Sequence, residues 1–221
     1  MEKIILFQGD SITDTGRAKE PGKEANKGYG YANMVAGELM ANEPYKYKCF
    51  NRGIGGNRSI DLYARIKEDM INLKPDYMSI LVGVNDVWHE YRWQNGLSAE
   101  KYELIYSLMI EELLGALPNL KIMILEPFVL PGTQTENTEE HPNRWEFFAR
   151  EVPLRAAAAK RVAEKFNLPF VPLQKMFDEA EATAPSHGYW LRDGVHPTQA
   201  GHTLIKRAWL RCYDENWKRA K

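Results

Sequence analysis

Short apolar runs alternate with longer stretches at helical spacing along this chain, and that alternation limits the fold more than any other feature. Ile4 to Gln8 is the first run and ends at Gly9. Lys46 to Asn51 and Tyr77 to Val82 follow, the latter ending at Gly83. Leu120 to Leu125 is stopped by Pro127, and Pro169 to Val171 is a short fifth run. Between them lie helix-like stretches: Tyr31 to Met40, Ile60 to Leu73 behind Ser59 as N-cap, and Ala99 to Leu117 behind Ser98. Trp145 to Phe166 contains the helix-forming run Ala156 to Ala159 despite Pro153, and Thr198 to Trp209 comes last. Strands that alternate with helices specify a parallel sheet covered on both faces, with right-handed crossovers. The expected fold is α/β: a three-layer α/β/α sandwich on a doubly wound, five-stranded parallel sheet of flavodoxin-like order 2-1-3-4-5. At 221 residues the chain suits one domain spanning 1–221.

Composition narrows the function. Lys plus Arg total 29 and Asp plus Glu total 30, a net charge of −1. That balance offers no electrostatic case for nucleic acid or an anionic membrane surface. The two cysteines, Cys49 and Cys212, fit neither a disulfide framework nor a metal-ligand spacing and read as reduced thiols. The apolar run after Met1-Glu2-Lys3 is shorter than the about 7–15 residues of a signal-peptide core. Nothing approaches the roughly 20 apolar residues that span a bilayer, so the expected location is the cytoplasm.

In a doubly wound sheet, ligands bind at the carboxyl ends of the strands, at the switch point between the first and third. The segments expected there carry chemistry. Gly9-Asp10-Ser11-Ile12-Thr13-Asp14 follows strand 1, Gly53-Ile54-Gly55-Gly56-Asn57 follows strand 2, and Gly83-Val84-Asn85-Asp86 follows strand 3. Ser11 is a weak nucleophile unless a base adjoins it, and alone it reads equally as a helix cap. In Asp193-Gly194-Val195-His196-Pro197 a carboxylate can reach Nδ1 of the imidazole across the turn and leave Nε2 free for the serine proton. The bland alternative is a capping aspartate and a surface histidine. His89, His141, His187 and His202 lack a comparable orienting acid. A tetrahedral oxyanion needs preorganised donors. The glycines can bring a backbone N–H close to substrate, Asn85 can offer its side-chain amide, and Ser11 its own N–H.

These motifs, in this order and spacing, resemble the SGNH (GDSL) hydrolases from residue 4 to about 205. The resemblance implies a Ser-His-Asp triad of Ser11, His196 and Asp193. It also implies an oxyanion hole of Ser11, Gly56 and Asn85, with Gly53 and Gly55 as alternatives to Gly56. The phrases Gln8-Gly9-Asp10-Ser11-Ile12-Thr13-Asp14, Asn85-Asp86-Val87-Trp88 and Glu126-Pro127-Phe128 look closest to the intracellular bacterial acetylxylan esterase and carbohydrate acetylesterase branch. That implies a small acetylated sugar as substrate, such as an acetylated xylo-oligosaccharide, with no metal or organic cofactor. The related esterases are often oligomeric, so a homo-oligomer is expected.

Aromatic side chains suit sugar faces. Trp88 and Trp190, each within a few residues of a proposed catalytic group, are the expected substrate contacts, and Asp10 is placed with them. The loops Asp14 to Lys27 and Thr133 to Asn143 are expected above the rim as lids or subunit contacts, or as plain solvated loops. Three rivals remain: a lysophospholipase or acyl-thioesterase with the same triad, a metal-dependent phosphoesterase using Asp10, Asp14, Asp86 and His89, and a silent carbohydrate-binding protein.

Overall fold

The computed structural model describes residues 2–20, 22–184, 186 and 188–218; His187 lies outside them. Strands β1 (Lys3–Gly9), β2 (Tyr47–Asn51), β3 (Tyr77–Leu81), β4 (Lys121–Leu125) and β5 (Phe170–Val171) form one parallel sheet in the order β2-β1-β3-β4-β5. This is the expected order. The strands are buried on both faces, as a sheet covered on both sides requires. Side chains alternate with the period of two. Ile5 and Phe7 of β1 belong to the core on one face, whereas Leu6 belongs to the core on the other.

Helices α1 (Ser11–Asp14) and α2 (Tyr31–Asn42) follow β1. Helices α3 (Ser59–Ala64) and α4 (Ile66–Asp69) follow β2, and α5 (Val84–Trp93) and α6 (Ala99–Ala116) follow β3. Next come α7 (Arg144–Lys165), α8 (Gln174–Glu181) and α9 (Gln199–Tyr213). Ser98 and Thr198 cap α6 and α9 through their side-chain oxygens. Ser59 does not cap. Both its N–H and its hydroxyl donate to Asp86, and the helix begins instead with a reciprocal Arg58–Asp61 arrangement. The single helix expected over 60–73 is three short pieces, broken where Arg65 turns its side chain toward the sheet's end. Cys49 and Cys212 are free and buried. Among the described residues, no helix is long and apolar enough to cross a membrane.

Helices α2 and α9 cover the β1 face together. Phe7 lies 5.5 Å from Trp209, and the rings of Tyr31 and His202 stack at 6.3 Å. His202 Nδ1 accepts the N–H of Tyr31 at 3.2 Å, so it is locked into the fold as a neutral acceptor. Burial, reinforced by the charges of Arg192 and His196, pushes its pKa down to about 4. An unfolded histidine titrates near 6.5. Between those values the unfolded chain binds the extra proton, so the contribution of His202 is complete above about pH 6.5 and is lost as the pH falls toward 4. In His202→Asn, whose Oδ1 replaces Nδ1 as acceptor, the melting temperature should fall less steeply from pH 6.5 to 4 than in wild type. Parallel slopes would contradict this account of His202.

Candidate active site

Ser11 opens α1 directly beyond β1. The turn that holds it is tight, because a Cβ on Gly9 would collide with the Leu81 carbonyl oxygen and the Thr13 hydroxyl. Asp10 is the N-cap, and its Oδ1 accepts the Ile12 N–H at 2.9 Å. Ser11 Oγ lies 2.9 Å from His196 Nε2, and His196 Nδ1 lies 2.8 Å from Asp193 Oδ2. The second Asp193 oxygen accepts the backbone N–H groups of Val195 and His196 at 3.1 and 2.8 Å. Burial acts to raise the Asp193 pKa, but these hydrogen bonds and the neighbouring imidazole outweigh it and hold the carboxyl below its ordinary value. The ionised carboxylate then fixes the proton on Nδ1 and leaves Nε2 as the acceptor toward Ser11.

The Asp193–His196 turn is braced from outside. Gly194 has φ +94°, and a Cβ there would strike Thr135 and the Leu130 carbonyl. Leu130 N–H donates to Gly194 O at 2.9 Å, and Gln134 N–H donates to Asp193 O at 3.1 Å. The loop over 133–143, expected as a lid, a subunit contact or a solvated loop, therefore begins as a buttress, with Thr135 fully buried. Around Thr135 the loop is otherwise exposed, at 133–134 and through 136–140.

The three glycines after β2 divide cleanly. Gly53 N–H donates to Asn51 Oδ1 at 2.9 Å, and Gly55 N–H donates to Asp14 Oδ2 at 3.0 Å. Gly56 sits at φ +81°, and its N–H has no acceptor among the described residues. A Cβ on Gly55 would lie 3.7 Å from Ser11 Cβ, so this loop passes against the Ser11 turn. Asn85, at the start of α5, donates from Nδ2 to Asn57 O at 3.1 Å. Beside it Asp86 is fully buried and accepts the Ser59 hydroxyl at 2.6 Å and the Ser59 N–H at 3.1 Å. Burial pushes its pKa up to about 7.

Arg65 ties the two halves together. Its guanidinium donates to Gln8 Oε1 and Asn57 Oδ1, both at 2.9 Å, to Arg52 O at 2.8 Å and to Asp69 at 2.6 Å. Gln8 Oε1 also accepts the Gly9 N–H at 3.0 Å. One side chain thus links the end of β1 to the glycine loop.

Of the three expected substrate contacts, the buried Asp10 is a correction, and the two tryptophans lie outside the crevice beside Ser11. Asp10 is 0 % exposed, its carboxyl serves the turn, and burial raises its pKa to about 7. Trp88 packs on Phe148 at 5.1 Å and against the core. Trp190 donates its Nε1–H to Ala180 O at 2.9 Å and also leans on the core. None of the three lines the crevice beside Ser11, which has a volume of about 320 Å³. Its walls include Arg17, Lys19, Tyr29 and Arg192. The sequence reading passed over these four, although three fall in or beside the 14–27 loop and Arg192 adjoins Asp193. Nor do Asp10, Asp14, Asp86 and His89 converge. Among the described residues, no group of three or more His, Cys, Asp or Glu side chains is placed to share a metal ion.

A GDSL-like lipase/acylhydrolase family model matches residues 7–204. The chain belongs to that family. This acylhydrolase is 37% identical over 227 residues to an acetylxylan esterase of Geobacillus stearothermophilus, covering 98% of this chain and 96% of that one. The crystal structure of Axe2, an acetylxylan esterase from Geobacillus stearothermophilus, superposes with a TM-score of 0.79 at 34% identity, covering 99% and 97% of the two chains. A GDSL-like lipase candidate from Parabacteroides merdae superposes at 0.86 with 33% identity, covering 96% and 95%. The protein is a carboxylic ester hydrolase of the SGNH fold.

If Arg65 is the tie described, Arg65→Met removes the donor that Gln8, Asn57, Arg52 and the Asp69 carboxylate share, and leaves Asp69 without its ion-pair partner at 2.6 Å. Urea denaturation should show a loss of about 3 kcal/mol, in the range for breaking a buried charged network. A loss below about 0.5 kcal/mol, the usual size for a surface substitution, would contradict the role.

Proposed function

We propose that this acylhydrolase removes acetyl groups from small acetylated sugars, with Ser11 as nucleophile, His196 as general base and Asp193 as its orienting acid. The observation that carries the reading is the unbroken line from Asp193 Oδ2 through the imidazole to Ser11 Oγ, with steps of 2.8 and 2.9 Å. Both are within the reach that general-base activation requires. The similarity to an acetylxylan esterase supports the acyl group and the sugar.

In the first half-reaction Ser11 Oγ bonds to the acetyl carbonyl carbon while its proton passes to His196 Nε2. The N–H groups of Ser11 and Gly56 and the Asn85 amide take the oxyanion. Gly56 is the donor of choice because the Gly53 and Gly55 N–H groups already have protein acceptors. The imidazolium then gives its proton to the departing sugar oxygen as the ester bond breaks. In the second half, His196 deprotonates water, which attacks the acetyl-serine. Acetate leaves and Ser11 recovers its proton.

The crevice supports a short acyl group. Its apolar walls are Ile12, Tyr29 and Pro197, and most of the remaining lining is polar or charged. A lysophospholipase or thioesterase would need an apolar channel in their place. A cytoplasmic enzyme of this kind would act on imported oligosaccharides.

Ser11→Ala and His196→Ala should each lower kcat for 4-nitrophenyl acetate by at least about 1,000-fold without unfolding the protein. Asn85→Ala should cost roughly 3 kcal/mol of transition-state stabilisation, the usual value of one oxyanion donor. Normal turnover by folded Ser11→Ala protein would refute the assignment. Across a series of 4-nitrophenyl esters, kcat/KM should fall steadily beyond butyrate, and a preference for octanoate would favour the lipid reading.

A further inference from the structure

One wall of the crevice carries more positive charge than the protein neutralises. Arg17, Lys19 and Arg192 line it, and Asp14 is its one carboxylate among the described residues. Asp14 pairs with Lys19 at 3.1 Å and accepts the Gly55 N–H at 3.0 Å, so that cation is matched. Arg17 is not. It is only 8 % exposed, its Nε donates to Gly53 O at 2.6 Å, and its Nη1 donates to Ala18 O at 3.1 Å. Both acceptors are neutral carbonyls. Its Nη2 has no partner among the described residues, and no described carboxylate lies within 4.0 Å of the guanidinium. Arg192 is the second cation, and it is only loosely paired. Its side chain is 63% exposed, and the nearest carboxylate is Asp193, 3.8 Å from Nε. Asp193 already accepts three hydrogen bonds from Val195 and His196.

A guanidinium stays protonated in any protein environment. Asp14 and Asp69 act on Arg17 only from beyond ion-pair distance and are opposed by Arg52 and Arg65, and a buried guanidinium with no carboxylate in direct reach is costly, since buried charges are ordinarily paired. Two planar guanidinium groups on the wall of one crevice suit a carboxylate: the exposed Arg192 can bind it in a fork, and Arg17 offers its free Nη2. We infer that the preferred substrates are acetylated sugars that also carry a carboxylate, that is, O-acetylated uronic acids or oligosaccharides containing one. Arg17 and Arg192 receive that carboxylate while the acetyl group faces Ser11. The inference rests on the acetyl-sugar reading and narrows it from neutral to acidic sugars.

The test is a matched pair: a mono-O-acetylated methyl glucuronoside and the methyl glucoside acetylated at the same position. They differ only in whether the exocyclic carbon is a carboxylate or a hydroxymethyl group. Acetate release should give a kcat/KM at least about tenfold higher for the uronate at low salt, carried by KM, as charge-assisted binding predicts. The advantage should shrink at about 0.5 M NaCl, where exposed charges are screened. Arg192→Gln, at an exposed position that does not threaten folding, should lower the uronate-to-glucoside ratio about fivefold. Arg17→Gln should lower it further, with its melting temperature read first. Hydrolysis of the glucoside with no preference for the uronate overturns this inference and leaves the acetyl-sugar reading standing. A uronate preference that survives in Arg192→Gln and in folded Arg17→Gln overturns the assignment to these residues. Failure to hydrolyse either ester overturns both readings.

Discussion

The 2.9 Å contact between Ser11 Oγ and His196 Nε2 joins residues 185 positions apart, and the surrounding structure is organised to keep it. On the serine side, Gly9 lets β1 turn sharply and the buried Asp10 carboxyl caps α1, so the hydroxyl leaves the sheet at a fixed point. On the histidine side, Asp193 holds both the ring and the backbone of His196, and the 130–135 segment clamps Gly194 from outside. Helix α9, which follows the turn directly, is anchored to α2 through His202 and to β1 through Trp209. A hydroxyl and an imidazole held this way need little reorganisation when a substrate arrives.

The side proposed to hold the oxyanion uses a different device. The buried Asp86 and the half-buried Arg65 lock the glycine loop to the ends of β1 and β3. Such groups are weak contributors to net stability, because desolvation offsets most of their attraction. Their use here is positional. A donor contributes to catalysis only if it already points where charge will develop, and a loop free to rearrange forfeits that advantage. Among the described residues the Gly56 N–H has no acceptor, whereas Gly53 and Gly55 have given theirs to Asn51 and Asp14.

Much of this was legible in the sequence. The strands, their order and the residues of the reacting line can be read there because each is a local pattern: an apolar run ending in glycine, or an aspartate three residues before a histidine. What escaped depends on side-chain direction, which only the packed fold decides. Asp10 adjoins Ser11 in sequence, yet as an N-cap it bends back to its own helix. Trp88 and Trp190 are near the triad along the chain but turn toward Phe148 and Ala180. Ser59 has cap chemistry, but a buried carboxylate on a neighbouring turn captures both its donors. The short helices α1, α5 and α8 were missed because they lie inside segments that read as site loops or connections. The basic wall went unseen because Arg17 and Lys19 sit in a loop whose charges read as solvated, and Arg192 reads as a neighbour of the triad rather than as a group of its own.

The central claim is that His196 and Asp193 activate Ser11. It is tested most directly by reaction with a small fluorophosphonate, followed by intact mass and peptide mapping. The account predicts one adduct per chain, on Ser11. It also predicts labelling slowed by orders of magnitude in Asp193→Asn, which keeps the shape of the turn but favours the wrong tautomer of the imidazole. An adduct on another residue, or equal labelling rates in wild type and Asp193→Asn, would contradict it.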